Sequence, residues 1–457
     1  MENERAYCPV CRREVYRDNL APADSIDDSI KPLLAVNAFG WEPGRDICSD
    51  CLARFSRVRS ELNQAFPDFA KQELKILPTP MRLDAPLRWR GRGVTIAFID
   101  AGFYAHPDLT EPRNRILKYV NLVGHSNPED LKTPQISSWH GMMTSTVATG
   151  NGFMSEGLYR GIASEANLVL LKVGESSRIR HEDIERGLRW AIEHREKYNI
   201  RIINISCGGD YEESYLTDKL CQAAEDAARA GILVVAAAGN AGHMQNHPVL
   251  PPASSPSVVT VGGLDDKNNF DFHDNEMYRS SYGPTIDGLQ KPEIIAPGIW
   301  IAAPILPGTP TSEQAVLFSK LEHAKDSELH DIIKTHKGVD ADLDQAVNLA
   351  AYMVRNIVWI KIRDHNVISR HYKHVDGTSF AAPIVSSIAA QMLEAAPYLQ
   401  PYQIKNLLIK TAVRLPHIPV DRQGWGIVNA RAAIAAAMEI KQHSPDSSLH
   451  LKDIASG

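Results

Sequence analysis

The 457-residue chain has no stretch of about eighteen apolar residues, which excludes a membrane-crossing helix. Its first residues, MENERAYCPVC, carry neither the basic start nor the apolar run of a secretory signal. Positive charge is not in excess. Lys and Arg number 49 against 55 Asp and Glu, for a net charge of −6, so there is no general electrostatic reason to bind nucleic acid. The basic run RREVYR (12–17) is soon followed by the acidic DSIDDS (24–29). No internal repeat is visible. Cysteine is scarce: there are six, four of them in two CxxC pairs. That usage argues against a disulfide framework and for a metal site in a reducing compartment. The expected location is the cytoplasm.

What is present is ordinary globular composition, 44% hydrophobic and 23% charged. Five apolar runs have the length of buried strands: VTIAFI (94–99), NLVLLKV (167–173), RIINIS (201–206), ILVVAAA (232–238) and VVTVGG (258–263). Helical stretches lie between several of them. HEDIERGLRWAIEHREKY (181–198) puts Ile184, Leu188, Ala191 and Ile192 on one face, and YLTDKLCQAAEDAARAG ends on Gly231 as a C-terminal cap. Strands alternating with helices predict an α/β fold built on a doubly wound parallel sheet.

Four regions follow. Residues 1–60 form a cysteine-bearing module, expected to be a small zinc-ribbon-like domain. Residues 61–92 form a linker whose Leu77-Pro78-Thr79-Pro80 disfavours helix and favours extended chain. Residues 93–440 hold the sheet, with a helical insertion at about 308–370 whose clearest helix is Asp342 to Ile362. Residues 441–457 read as a loose polar tail.

An open parallel sheet gathers ligands at the carboxyl ends of its strands. Asp100 stands there after VTIAFI, and Asn240 follows ILVVAAAG. His140 opens a predicted helix in SSWHGMMTSTVATGNG. Ser379 lies where the glycine-bearing turn of DGTSFAAPIVSSIAAQML leads into an apolar helix. Each alone reads as a cap or turn residue. Together they suit acyl transfer. A serine hydroxyl needs a base, histidine is that base, a carboxylate fixes the histidine tautomer, and an amide stabilises the oxyanion.

At these residues the sequence resembles the subtilisin-like serine peptidase family, over roughly Gly93 to Ala436. The order Asp, His, Ser is that family's order. IDAGF…HPDL resembles its aspartate motif, Trp139-His140-Gly141 begins its histidine motif, and AAAGNAG carries its oxyanion asparagine. GTSFAAP (377–383) matches the nucleophile motif most specifically, with support from NISCGG (204–209), KPEIIAPG (291–298) and GWGIVNARAAI (424–434). The resemblance implies a serine endopeptidase acting on protein or peptide substrates through Asp100, His140 and Ser379. Asn240 and the Ser379 N–H would form the oxyanion hole. Ser206, Cys207, Gly208, Gly209 and Ala236, Ala237, Ala238, Gly239 would line the cleft. Calcium on surface loops is a further family trait, but no acidic cluster here names residues for it. One departure is Met142-Met143, where the family usually has Thr after His-Gly; it bears on the packing behind the histidine.

Cys8, Cys11, Cys48 and Cys51 are expected to supply the four thiolates of a structural zinc site, although the gap between the pairs exceeds the commonest ribbon spacing; the alternatives are two unrelated cysteine pairs or a redox couple, for which the βαβ context of a thioredoxin-like motif is absent. Cys207 and Cys221 read as core thiols; Cys207 sits beside the expected cleft, where oxidation would inhibit. In many relatives an inhibitory segment precedes the catalytic domain. The cysteine module and stiff linker are therefore expected to restrain activity, and the module or the helical insertion to receive a regulatory protein partner. A competing reading is a zinc-bearing interaction module on a degenerate scaffold, which needs a basic, aromatic-lined surface. An esterase shares the chemistry but not the peptide-lining segments.

Overall fold

A computed structural model describes residues 4–65 apart from 12, 29, 32, 33 and 35–40, and residues 75–440 apart from 176, 177 and 270–274. The expected tail and residues 66–74 of the linker lie outside the described residues. All five apolar runs become strands of one sheet: β1 (Thr95–Asp100), β3 (Asn167–Lys172), β4 (Ile200–Ile205), β5 (Leu233–Ala237) and β6 (Val259–Asp265). Three more strands join them: β2 (Ile116–Asn121), β7 (Glu276–Met277) and β8 (Ile294–Pro297). The order is β7-β6-β5-β4-β1-β3-β2, with β8 also paired to β6, and β7 alone antiparallel.

Side chains alternate between two cores, as the pleat dictates. Ile96, Phe98, Leu168, Leu170, Ile202 and Val235 point to one face. That face is covered by α3 (Ser138–Thr149) and α9 (Thr378–Ala395). Ala97, Ile99, Val169, Leu171, Ile203 and Ala236 point to the other, against α4 (His181–Glu193) and α5 (Lys219–Arg229). Ile184, Leu188 and Ala191 are fully buried there. Asp218 caps α5 by accepting from Cys221 N–H, and Gly231 follows its end at φ +85°. After β1 the chain moves outward to β2 and returns through β3; β4 then lies on β1's other side. The carboxyl ends of β1 and β4 therefore flank a switch point, the place where such sheets bind ligands.

The cysteine module consists of a hairpin (Arg5–Tyr7 with Glu14–Tyr16), a second strand pair (Leu20–Ala21 with Ile47–Cys48) and α1 (Ser49–Ala65). Its core contains Val10, Trp41, Ile47 and Phe55, and also Leu77 and Met81 from the linker. Here the expectation of extended chain is corrected. Thr79–Arg82 forms a helical turn, α2, with Pro80 in its first positions, where a missing N–H forfeits no bond.

The insertion stands between two antiparallel strands, β9 (Ile301–Pro304) and β10 (Tyr372–Val375). It has its own core, including Leu317, Phe318, Leu321, Ile333 and Val354. This core joins α6 (Pro310–His323), α7 (Leu329–Thr335) and α8 (Ala351–Asp364). The expected helix from Asp342 to Ile362 is broken. Ala341–Gln345 is one piece and α8 the other, with Leu349 and Ala350 extended between them. His330 of α7 donates to the Leu349 carbonyl at 2.8 Å, so packing against α7 overrides local helix preference.

Candidate active site

Asp100 ends β1 and is buried. Its carboxylate lies 2.8 and 2.9 Å from Nδ1 of His140, in the first turn of α3. Thr144, one turn further along the same helix face, donates to Asp100 Oδ2 at 3.1 Å. Residues Met142 and Met143 are both buried in the core behind the histidine. Thr144 thus supplies a hydroxyl to the aspartate from the next turn, a role that motif matching did not anticipate. The i+4 spacing from His140 is the signal that points to it.

The helix reaches β1 this closely because Gly141 has no side chain. A Cβ there would lie 2.2 Å from the Gly102 carbonyl oxygen. The His140 side chain is 22% exposed and meets Trp139 edge-on at 5.2 Å and Phe380 at 5.9 Å between ring centres. Burial opposes its protonation, but the charge and hydrogen bond of Asp100 prevail, and its pKa is raised above the ordinary 6.5.

Ser379 lies in the first turn of α9, after Gly377 at φ +136°. Its hydroxyl donates to the Ser206 carbonyl at 3.0 Å, and Ser206 Oγ donates back to the Ser379 carbonyl at 2.8 Å. That carbonyl is available because Pro383, four residues on, has no N–H to return to it. Asn204 donates to Ser206 Oγ at 3.0 Å and accepts from Ser386 at 2.9 Å, completing a buried polar chain from β4 to α9. His140 and Ser379 make no direct hydrogen bond here.

Asn240 is exposed after β5. Its Oδ1 accepts from the N–H and the hydroxyl of Thr378, both at 2.9 Å. These two donors identify the oxygen side of the amide, and Nδ2 lies near Gly377, 3.8 Å from where a Cβ there would stand. Of the segments expected to line a cleft, Ser206 and Gly209 are buried, Cys207 is half-buried and Gly208 is exposed. Gly209 donates its N–H to Pro251. Ala236 and Ala238 are buried, and Ala238 N–H donates to Val261; Ala237 and Gly239 are half-buried. Burial and the nearby Asp100 charge push the Cys207 thiol well above 9.0, and its sulfur faces the Ile99 carbonyl. A thiol held in its protonated form is less readily oxidised, which weighs against the expected sensitivity there.

A family model described as the subtilase family matches residues 91–426. The chain belongs to the subtilase family. Serine protease AprX of Bacillus subtilis (strain 168) is 30% identical to this subtilase over 352 residues, covering 75% of this chain and 66% of AprX. The major intracellular serine protease of the same organism is 30% identical over 191 residues, 40% of this chain and 56% of that protein. The subtilase thus spans less than two thirds of the length of these curated relatives. Among solved structures, a protease from Pseudoalteromonas arctica aligns with a TM-score of 0.52 at 22% identity. The match covers 79% of this chain and 94% of that one. Fervidolysin from Fervidobacterium pennivorans gives 0.52 at 20% identity, over 78% of this chain and 45% of its own. Both are likenesses of fold.

The four cysteines of the N-terminal module converge. Their sulfurs all lie within 4.8 Å of one another, with Cys8 to Cys51 at 3.9 Å and Cys11 to Cys48 at 3.7 Å. Four thiolates placed about 2.3 Å from a tetrahedral ion stand about 3.8 Å apart, so the cage fits a metal. A disulfide requires about 2.05 Å, and all six cysteines are free. Cys48 N–H donates to Cys8 Sγ at 3.3 Å, and Arg13 Nε to Cys11 Sγ at 3.4 Å, both suited to holding thiolates. Hydrogen bonds with Cys51 and Cys8 pull Cys11 down, those with Cys11 and Cys8 push Cys51 up, and burial pushes Cys48 up to about 11.

Proposed function

We propose that this subtilase is a serine endopeptidase, with Ser379 as nucleophile, His140 as general base and acid, and Asp100 as the group that orients and stabilises the imidazolium. The observation that carries the reading is the Asp100–His140 pair facing the turn that presents Ser379. Nδ1–H of His140 is held by Asp100, which leaves Nε2 to receive the Ser379 proton and return it to the leaving amine. The Ser379 hydroxyl rests on the Ser206 carbonyl and turns to His140 when a scissile carbonyl enters; such bonds are commonly loose without substrate. Asn240 Nδ2 and the Ser379 N–H, which has no carbonyl four residues back to bind, stabilise the oxyanion. An extended substrate pairs along the exposed backbone at Gly208, supported by the half-buried Cys207, Ala237 and Gly239.

The reading extends to a structural zinc ion held by Cys8, Cys11, Cys48 and Cys51, whose converging sulfurs would bind it as four thiolates. Six free cysteines suit a reducing compartment such as the cytoplasm. The described residues include no helix long and apolar enough to cross a membrane. Labelling with a serine-reactive phosphonate tests the catalytic assignment. Wild type is expected to label and Ser379→Ala not to; equal labelling of both rejects Ser379 as the nucleophile.

A further inference from the structure

We infer that Arg82, on the segment joining the cysteine module to the sheet, is a positioning residue for Ser379; this rests on the proposed role of Ser379 as nucleophile. The guanidinium is fully buried. Nε and Nη2 donate to the two oxygens of Asp266 at 2.7 and 2.6 Å. Nη1 donates to the Trp300 carbonyl at 2.6 Å, and Nη2 also to the Ile299 carbonyl at 2.9 Å. A buried ion pair alone is weak evidence of purpose. Here half of the bonds go to the backbone of a single turn.

That turn holds the nucleophile's approach. Gly298, next to Ile299, accepts the N–H of Gly377 at 2.7 Å, two residues before Ser379. Trp300 sits at φ +61°, a left-handed conformation that a bulky residue keeps only when its surroundings impose it. Arg82 imposes it from the carbonyl side. From the ring side, Trp300 Nε1 donates to Asp265 at 3.0 Å, and the ring rests 4.9 Å from His374 of β10. Ile76, on the same segment as Arg82, packs on Ile368 and Tyr372, at the start of the strand that leads to Ser379. The segment therefore grips the turn before β9, which is bonded to the nucleophile loop at Gly377, and the beginning of β10, which leads into that loop. The rest of the linker packs elsewhere: Pro86 and Trp89 accept from Gln391, and Arg90 N–H is bound by Glu394, near the far end of α9. Packed in this way, the segment supports the nucleophile loop rather than obstructing it.

The test uses the full chain and four forms: wild type, Arg82→Lys, Asp266→Asn, and the neutral pair Arg82→Met with Asp266→Asn. Sites are counted by exhaustive phosphonate labelling, folding is followed by circular dichroism, and kcat and KM are measured per labelled site. A displacement of about 1 Å at a reacting group lowers rate on the order of a hundredfold. The double variant is therefore expected to lose about ten- to a hundredfold in kcat with KM within about twofold. Arg82→Lys keeps the charge but not the fork and should fall between the double variant and wild type. Asp266→Asn leaves both carbonyl bonds and should stay within about threefold of wild type. A purely structural role would lower the melting temperature and leave kcat per site unchanged. Wild-type kcat in Arg82→Lys and in the double variant overturns the inference, and if the double variant does not fold, Arg82→Lys decides. A wild type that neither labels nor cleaves rejects the assignment of Ser379 instead.

Discussion

Removing the Ser379 hydroxyl takes away the nucleophile and one hydrogen bond, to the Ser206 carbonyl. Ser379→Ala should abolish peptide hydrolysis while lowering stability by only about 1 kcal/mol, read by assay and thermal melt on the same sample. Asn240→Ala should reduce kcat by about 10²–10³-fold with little change in KM, a magnitude taken from loss of one oxyanion donor in subtilisin. An unchanged kcat places the donor elsewhere. The raised pKa of His140 gives opposite pH dependences. The pair's contribution to stability is present below 6.5 and is lost as pH rises through the raised value, whereas a neutral base is lost as pH falls through it. The acid limb of kcat/KM should therefore have its midpoint above 6.5 and move down in Asp100→Asn; a wild-type midpoint at or below 6.5 contradicts the pairing. Asp100, His140, Asn240 and Ser379 could be singled out from sequence because each stands in a run whose glycines and apolar flanks are specific. Thr144 and Arg82 stand in no such run. Their significance comes from partners 44 and 184 positions away, a relation only the fold creates.

Among the elements, the central strands were legible because strands buried on both faces are written as nearly unbroken apolar runs. Strand β2 was not, for the converse reason: it is a sheet edge, and residues such as Lys118 face solvent. The turn α2 and the break before α8 were equally hidden because helix α7 and the cysteine module decide them, not local propensity. The cysteine pairs carry their own prediction. Protein purified under reducing conditions without chelator should hold one zinc per chain, and replacing Cys51 by Ser should lower that content. A folded module free of metal rejects the assignment.

At the scale of the whole molecule, module and sheet are tied by more than one chain segment. Helix α1 contains Cys51, and its Arg54 donates to the Arg82 carbonyl at 3.3 Å, while Arg57 and Arg431 both pair with Asp84. If the four cysteines hold zinc as proposed, chelating it from the full chain should therefore lower both melting temperature and kcat, with recovery on adding zinc back. A rise in kcat would instead support the expectation of an inhibitory module. The placement of the insertion has a consequence for synthesis. Residues 305–371 separate the paired strands β9 and β10, yet each doubling of a loop costs only about 0.6 kcal/mol, and this one is closed by a core of its own. Strand β10 leads directly into the segment bearing Ser379. A ribosome-bound chain that has already completed β1 and α3 carries Asp100 and His140 with no serine beside them. Ser379 is made 239 residues after His140 (379 − 140), so the proposed site cannot be complete until most of the chain has been synthesised.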